Sequence, residues 1–329
     1  MEEAQIGSGG YTGKKQELDR VHSSAAELEA QGLVELVAES GQTYALLDSD
    51  GVVTGVVGGN PQDTNWLETV NEPATEAIRE ARKDLTFSKK QTNHRHADCP
   101  AVAFGVSFGG GPQEPGNLKQ TNAAAFGIMS ALLSLNCFAR ISGFANSLFM
   151  AYAYRCYIYC TANLDKLFEW NPNLRRLFRN NAWAACTINF GPQSITFPHV
   201  DAANLCFGWC SITALGKFDY TRGGHLILWD LGLYIRFPPG STILIPSALL
   251  VHSNVPVASG EERYSFVQYS SAGLFRWVEN GFRSNIRFKA HATASQCSKR
   301  NTERRERWES GLRKFSKWAD IQAGNWKGN

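Results

Sequence analysis

Apolar and polar residues alternate with a period of two in short runs through residues 183–271. Such alternation predicts strands that bury one face, and the Gly, Pro and Asn residues between the runs are typical of tight turns. Short strands joined in this way favour a jelly roll. The runs that we predict as strands are 185–190, 196–200, 206–214, 225–231, 233–237, 242–245, 252–257 and 264–269.

The N-terminal part of the chain, 1–40, is polar and contains many Ser and Gly residues. We expect it to be partly disordered, with one helix over 15–38. The next part, 41–182, opens with an apolar run over 43–57. This run predicts a β-hairpin turned at Asp50-Gly51, because Asp-Gly accepts the positive φ angles of such turns.

The remainder of 41–182 is mainly helical in pattern. We predict a charged helix over 75–83 and a strand over 100–108 that ends in the glycine loop 109–111. Ala-rich and Leu-rich faces predict further helices over 117–178, interrupted at Pro172. We expect these helices to buttress a β core over 183–290, so the predicted fold class is α+β.

The C-terminal segment, 291–329, is basic. Its residues Trp308, Leu312, Phe315 and Ala319 recur at helical spacing, which predicts an amphipathic helix. One interpretation is that the apolar face docks on the protein's own β core and the charged face is solvated. The other adds phosphate contacts by the basic residues, which would make binding depend steeply on salt. The two interpretations are compatible.

Composition is that of a protein with a substantial core, because 43% of the 329 residues are apolar and 12% are aromatic. The net charge of +3 indicates an acidic partner only weakly, so local clusters matter more than the sum. One basic cluster, 89–96, is either a solvated loop or a phosphate contact.

The eight cysteines are scattered and form no Cys-x-x-Cys zinc pattern. No secretory signal precedes them, so we expect reduced thiols in an intracellular protein. The apolar stretch 128–160 carries Arg140 and Arg155. We therefore expect buried helices there, and no membrane span.

Candidate chemistry is concentrated in His199-Val-Asp201 and two later positions. On a strand, His199 and Asp201 would project from the same face, and His252 would complete a set of two histidines and one carboxylate. Such a set leaves half of an octahedral shell open, which suits Fe(II). Arg263 and Ser265 follow on the next β-type run, and a guanidinium beside a hydroxyl fits a carboxylate. Taken alone, a His-x-Asp pair is more often a surface or core feature.

The order His-x-Asp, Pro-Gly turn and strand, His, then Arg-x-Ser resembles the 2-oxoglutarate and Fe(II)-dependent dioxygenases, which are double-stranded β-helix (jelly-roll) proteins. Residues 212–230, 237–247 and 273–277 are similar to the fungal branch of the TET/JBP group of DNA-base oxygenases. The likeness covers about 95–290 and includes the glycine-rich 104–116.

The resemblance implies a catalytic centre and its cofactors. It assigns the metal and catalytic roles to His199, Asp201 and His252, and the co-substrate contacts to Arg263, Ser265 and Asn189. Fe(II), 2-oxoglutarate and O₂ are the implied cofactors, with ascorbate as a stimulant. Oxidative decarboxylation of 2-oxoglutarate would give a ferryl species that abstracts hydrogen from a methyl group. For Asn189, a turn or bulge role is the alternative.

The resemblance also indicates where a base would be contacted, after it has been flipped out of the duplex. Asn204, five positions after the first histidine, would contact the base, and a turn role is the alternative. Ser271 stands where the family often has a contacting His, which leaves adenine open as a substrate. Asp219 and His225 flank the turn 221–224 and are further candidates. For His225, a hydrogen-bonded core histidine is the alternative.

Three functions follow from these features. The first is oxidation of 5-methylcytosine in DNA to its hydroxymethyl, formyl and carboxyl forms. The second is demethylation of N6-methyladenine by the same chemistry, and the third is a jelly roll that binds DNA without turnover. A fourth function, hydroxylation of a protein or a small molecule, is a weaker interpretation, because the basic C-terminal segment indicates an acidic partner. We expect a nuclear monomer that acts on double-stranded DNA and has no membrane partner.

Overall fold

The computed structural model describes residues 4–38 and 41–325, in which helices and strands come in runs. The helices are α1 (Ala25–Ala30), α2 (Glu72–Asp84), α3 (Lys89–Thr92), α4 (Ala123–Ser134), α5 (Asn136–Tyr152), α6 (Tyr154–Trp170), α7 (Ala272–Glu279), α8 (Asn285–His291), α9 (Ala294–Leu312) and α10 (Trp318–Gln322). The strands are β1 (Val34–Leu36), β2 (Tyr44–Leu47), β3 (Val53–Gly59), β4 (Ala101–Ser107), β5 (Gly116–Asn117), β6 (Ala185–Asn189), β7 (Cys210–Lys217), β8 (Leu226–Leu228), β9 (Leu233–Ile235), β10 (Thr242–Ile245), β11 (His252–Asn254) and β12 (Glu262–Tyr269). Parts of the predicted segments 1–40 and 291–329, namely 1–3, 39–40 and 326–329, lie outside the described residues.

Two sheets form the β core. The larger has eight strands in the order β2-β3-β10-β7-β12-β6-β4-β5, and the smaller has four in the order β1-β9-β8-β11. Side chains of both sheets share one buried cluster, to which the larger sheet contributes Ile212 and Ile243 and the smaller Leu228 and Ile235. Burial of an apolar layer between two sheets is what holds such a sandwich together. The predicted α+β jelly-roll core is confirmed.

The larger sheet extends across the predicted boundary between 41–182 and 183–290. Its strands β2, β3, β4 and β5 come from the N-terminal side, and β4 pairs with β6 from Ala101↔Asn189 to Gly105↔Ala185. The hairpin of β2 and β3 and the strand β4 were predicted, and both are confirmed. The β core therefore needs residues upstream of 183 to complete its larger sheet.

Helices α2, α4 and α5 cover one face of the larger sheet. Phe138 and Ile141 of α5 and Ile78 of α2 are buried in one cluster with Ile188 of β6 and Phe266 of β12. The predicted buttressing helices are thus confirmed. The opposite face of the larger sheet therefore packs against the smaller sheet.

The helix predicted over 15–38 is wrong for most of its length, because only α1 is helical there. Ser24 starts this helix through a capping box, in which its hydroxyl accepts from Glu27 N and the Glu27 carboxylate accepts from Ser24 N. Gly32, with φ of +85°, lies directly beyond its end. Val34–Leu36 then pairs in parallel with β9, so tertiary pairing outweighs local helix propensity.

Further predicted boundaries differ from the structure. The strand predicted over 225–231 ends at Leu228, where a short 3-10 helix follows, and the strand predicted over 252–257 ends at Asn254. The strand predicted over 206–214 begins only at Cys210, since the residues before it form a turn. The helices predicted over 117–178 end at Trp170. The residue before Pro172 has an extended backbone, as proline disfavours the helical conformation of the residue that precedes it.

The basic C-terminal segment docks on the core as the first interpretation expected. Gly311 of α9 lies against the ring of Phe207, and Trp308 and Phe315 pack on the same cluster. The predicted single helix is interrupted, however, because α9 ends at Leu312 and the next helix starts at Trp318.

Within the described ranges, none of the helices alone is both long and apolar enough to cross a membrane. The pair α4 and α5 passes that test only when taken together, and the two are bent by 63° at their junction.

Phe266 is the residue whose truncation should cost most in the larger sheet. It is 0% exposed and packs edge-on against Phe138 at 5.3 Å between ring centroids. We expect Phe266→Ala to lower the free energy of unfolding by about 3–5 kcal/mol through the cavity it leaves. Ile286→Ala, at a residue 76% exposed, is the control and should change it by less than about 0.5 kcal/mol. Urea unfolding measures both, and equal effects would contradict the assigned packing.

Candidate metal centre and co-substrate pocket

His199 and His252 are joined by a reciprocal pair of backbone hydrogen bonds. The N–H of His199 donates to the carbonyl of His252 at 3.1 Å, and the N–H of His252 donates back at 2.9 Å. The strand predicted over 196–200 is wrong, because this segment is extended but forms only isolated bridges. Pro198 has no N–H to donate to a ladder, which explains why no regular strand forms.

The three predicted metal ligands lie near one another, although the donor atoms that all lie within 4.8 Å of one another are those of His199, Asp201 and His96. The ring centroids of His199 and His252 are 4.3 Å apart, and Nε2 of His252 is 4.0 Å from Oδ2 of Asp201. Nδ1 of His199 lies 2.7 Å from the carbonyl of Phe197, and Nδ1 of His252 lies 2.9 Å from that of Leu250. Donation from Nδ1–H to these carbonyls leaves the Nε2 lone pair of each ring free for a metal.

Protonation at this centre suits a cation. Burial, and then the neighbouring His252, hold the pKa of His199 well below its ordinary value. Burial alone would raise the pKa of Asp201, but the surrounding histidines keep it below its usual value. A neutral imidazole beside an ionised carboxylate is the state that binds a metal without first losing a proton.

A cavity of about 510 Å³ opens beside these ligands. Apolar side chains of the two sheets, Ile212, Leu226 and Val267, form part of its wall. The predicted site residues that line it are His199, Asp201, His252, Arg263, Ser265, Asn189 and Asn204. The structure therefore brings the predicted metal ligands and co-substrate residues to one chamber.

Arg263 is a buried guanidinium without a carboxylate partner. It is 3% exposed, Nη1 donates to the carbonyl of Ser194 at 3.0 Å, and Nε is buried without a partner. Burial lowers the pKa of Arg263 to about 10. No Asp or Glu of the described chain forms an ion pair with it, although a buried charge is costly unless it is paired. An anion that enters the cavity would supply the missing partner.

Ser265 and Asn189 complete this end of the cavity. They face each other across the β6–β12 pair, and Nδ2 of Asn189 donates to Oγ of Ser265 at 2.7 Å. Because Oγ already accepts, its own proton remains available for a carboxylate oxygen. The donor set at the metal position and the unpaired guanidinium together fit Fe(II) and a dicarboxylate co-substrate.

Of the two predicted base-contacting residues, only Asn204 lines the cavity. Its Nδ2 lies 3.4 Å from Sγ of Cys210 and from Oγ of Ser247, while its Oδ1 accepts no hydrogen bond from the described residues. Ser271 is 6% exposed, and its Oγ accepts from the N–H of Phe108 at 3.1 Å. Its hydroxyl thus joins two segments of the chain, and it does not line the cavity.

Asp219 and His225 lie outside the cavity lining. Asp219 is exposed and accepts from the N–H and hydroxyl of Thr221. His225 is 0% exposed, with Nε2 3.4 Å from Oε1 of Glu35. The structure does not bring these two residues to the predicted site, and His225 has the surroundings of a core histidine.

Sequence reasoning missed His96 at this site. Its Nδ1 is 3.7 Å from Oδ1 of Asp201, and its ring stacks on that of His199 at 4.2 Å between centroids. Burial lowers the pKa of His96 to about 4. The His-x-His spacing of His94 and His96 indicates metal affinity. Both residues belong to the basic cluster 89–96, which the sequence analysis interpreted only as a solvated loop or a phosphate contact.

Comparison with known proteins gives a likeness in structure alone. No protein-family model matches the chain, and no curated protein matches it either. The structure of NgTET1 in complex with 5mC DNA has a TM-score of 0.52 and 17% identity, over 73% of this chain and 83% of that one. A 2OG-Fe(II) oxygenase-family protein from Burkholderia pseudomallei has a TM-score of 0.34 and 19% identity, over 60% of this chain and 77% of that one. The collagen prolyl hydroxylase vCPH of Paramecium Bursaria Chlorella virus-1 has a TM-score of 0.21 and 17% identity, over 26% of this chain and 55% of that one.

The likeness to NgTET1 supports the jelly-roll fold of this chain, and within that fold two histidines and one carboxylate lie close together. In fold, the likeness to NgTET1 agrees with the TET/JBP resemblance of the sequence. The assignment to the fungal branch stays a prediction.

Metal retention tests the assigned ligands. We expect His199→Ala and Asp201→Ala to lose bound Fe(II), because each removes one of the few ligand atoms that hold the ion. Metal content after anaerobic loading and gel filtration, measured by mass spectrometry, reports the loss. Asp219→Ala is the control, as its carboxylate lies outside the cavity. Full metal content in either ligand variant would refute the centre.

Co-substrate affinity tests the buried guanidinium. Arg263→Ala should weaken 2-oxoglutarate binding by about 100-fold, since truncation of one partner of a buried charge pair costs about 2–5 kcal/mol. Anaerobic calorimetric titration of the Co(II)-loaded protein measures this. Arg222→Ala, at an exposed position outside the cavity, should bind as the wild type does. Unchanged affinity in Arg263→Ala would exclude it as the anchor.

Proposed function

We propose that this protein is a 2-oxoglutarate and Fe(II)-dependent dioxygenase that oxidises the methyl group of 5-methylcytosine in DNA. The observation that carries the proposal is one cavity in which a two-histidine, one-carboxylate donor set lies near a buried, unpaired guanidinium. A purely structural jelly roll has no need of a desolvated Arg263 without a counter-ion.

The residues divide the chemistry between them. His199, Asp201 and His252 would hold the iron, while Arg263 and the hydroxyl of Ser265 would bind the far carboxylate of 2-oxoglutarate. When bound, the iron and co-substrate supply the oxidation: CO₂ is lost, one oxygen atom of O₂ enters succinate and the other enters the methyl C–H bond. The wall formed by Ile212, Leu226 and Val267 excludes water beside the reacting carbon.

A DNA substrate is supported by the mouth of the cavity. Lys90, Arg95 and Lys119 are exposed there, and none of the three forms an ion pair with an acidic residue of the described chain. Cations free of protein partners can bind the phosphates that flank a flipped nucleotide. The cavity is wide enough for a base, which must leave the duplex before its methyl group can reach a buried metal.

Cytosine as the target is supported by the likeness to NgTET1, whose structure holds 5mC DNA. The free Oδ1 of Asn204 would accept a hydrogen bond from the exocyclic amino group of the base. N6-methyladenine remains the second candidate, because Ser271 does not line the cavity and so offers no second contact to cytosine. Asn204 alone can serve either base.

Nucleoside analysis tests the proposal. Fe(II)-reconstituted protein is mixed anaerobically with 2-oxoglutarate, ascorbate and a duplex that carries either methylated base, and O₂ is then admitted. We expect hydroxymethyl-, formyl- and carboxylcytosine by mass spectrometry. Asn204→Ala should lower the yield at least about tenfold, as a lost hydrogen bond to the base costs about 1–3 kcal/mol.

Succinate measured in parallel separates the possible failures. Succinate without an oxidised base would refute DNA as the substrate and leave the oxygenase in place. Unmodified adenine and formaldehyde from the second duplex alone would move the assignment to N6-methyladenine. Absence of both succinate and product would refute the oxygenase itself.

A further inference from the structure

His96 is held firmly beside the metal ligands, although it comes from a different part of the chain. The N–H of Phe197 donates to the carbonyl of His96 at 2.8 Å, and Ala97 forms a bridge with Thr196. These contacts attach the His96 segment to the extended run that carries His199. The backbone that carries the His96 ring is therefore attached to the rest of the site and is not part of a free loop.

The ring of His96 approaches the centre as closely as an assigned ligand does. Its centroid is 4.2 Å from that of His199, where the His252 ring is at 4.3 Å. Its Nδ1 is 3.7 Å from a carboxylate oxygen of Asp201, where Nε2 of His252 is at 4.0 Å. Donor atoms of His96, His199 and Asp201 all lie within 4.8 Å of one another. Metal–ligand bonds of about 2.1 Å put neighbouring donors about 3 Å apart, so small movements would close the set.

The two ring nitrogens of His96 are uncommitted. Nε2 is buried without a hydrogen-bond partner, and the distance from Nδ1 to Asp201 is too long for a hydrogen bond. His199 and His252 differ in this respect, because the Nδ1 of each is paired with a backbone carbonyl. Such outer bonds orient a histidine and strengthen it as a ligand. A histidine that lacks one can bind a metal, but it is more easily displaced.

We propose that His96 is a fourth protein ligand of the metal and that 2-oxoglutarate displaces it. The inference rests on the metal centre of the proposed function. An octahedral ion with three ligands from His199, Asp201 and His252 has three positions left. Two of these go to the chelating co-substrate and the third must be open for O₂, so the ion cannot hold His96, the co-substrate and O₂ together. The co-substrate enters the cavity that His96 lines, and it is therefore the ligand that displaces this histidine. His96 then raises the affinity of the protein for the metal and lowers its affinity for the co-substrate by the same factor.

Co(II) titration of the full-length protein tests this linkage without turnover. We expect His96→Ala to weaken Co(II) binding at least about tenfold. The Co(II)-loaded variant should bind 2-oxoglutarate more tightly than the wild type by the same factor, as it has no protein ligand to displace. The visible absorption of Co(II) should differ between variant and wild type before 2-oxoglutarate is added, and should coincide afterwards.

Three comparison variants make the result decisive. His94→Ala removes another histidine of the same cavity wall that is not part of the donor group, and it should match the wild type. His96→Gln keeps a polar side chain, so the same effect in it excludes a packing defect, and thermal unfolding verifies the fold of each variant. Unchanged Co(II) affinity and spectrum in His96→Ala and His96→Gln would overturn this inference and leave the oxygenase centre standing. Wild-type Co(II) binding by His199→Ala would instead refute the centre itself, and His96 as its ligand with it.

Discussion

The reciprocal backbone hydrogen bonds between His199 and His252 are the contact on which the site depends. They place two imidazoles side by side without any metal, since they involve only main-chain atoms. The N–H of Asp201 donates to the carbonyl of Ser247 at 2.8 Å. This bond holds the backbone that carries the carboxylate against the connection between β10 and β11. Ligands held in this way lose little conformational freedom when an ion binds, so the fold itself supplies the preorganisation that a metal site needs.

A second constraint is the burial of Arg263 in the middle of the larger sheet. Opposite it on β7 stands Gly216, with φ of +120°, where a Cβ atom would lie 2.1 Å from the carbonyl oxygen of Glu262. Only glycine lets β7 approach β12 this closely. The guanidinium of Arg263 is itself buried, at a cost that the carboxylates of the described chain do not offset. Stability is thereby given up locally for an anion site that forms before its ligand arrives.

His199 with Asp201, and Arg263 with Ser265, could be singled out in the sequence because the members of each pair are two residues apart. The distant His252 was singled out by its place after the Pro-Gly turn and strand. His96 could not be, since its place beside His199 depends on the bridge between Ala97 and Thr196, a pairing of segments far apart in the chain. Part of the false helix over 15–38 has the same origin, as Val34–Leu36 form a strand through pairing with β9. Local pattern therefore predicted elements and ligand spacing, whereas long-range backbone pairing decided the rest.

Substrate choice depends on how the chain has used the position of Ser271. Its hydroxyl accepts from Phe108, and its backbone forms a bridge with Asn204, so it acts as a joint between the start of α7 and the end of β4. Under the proposed function, Oδ1 of Asn204 is then a polar atom of the cavity that can meet the base. An amide oxygen accepts a hydrogen bond from the amino group of cytosine and of adenine alike. Discrimination between the two would therefore come from the shape of the cavity wall, to which Ile212 and Leu226 contribute.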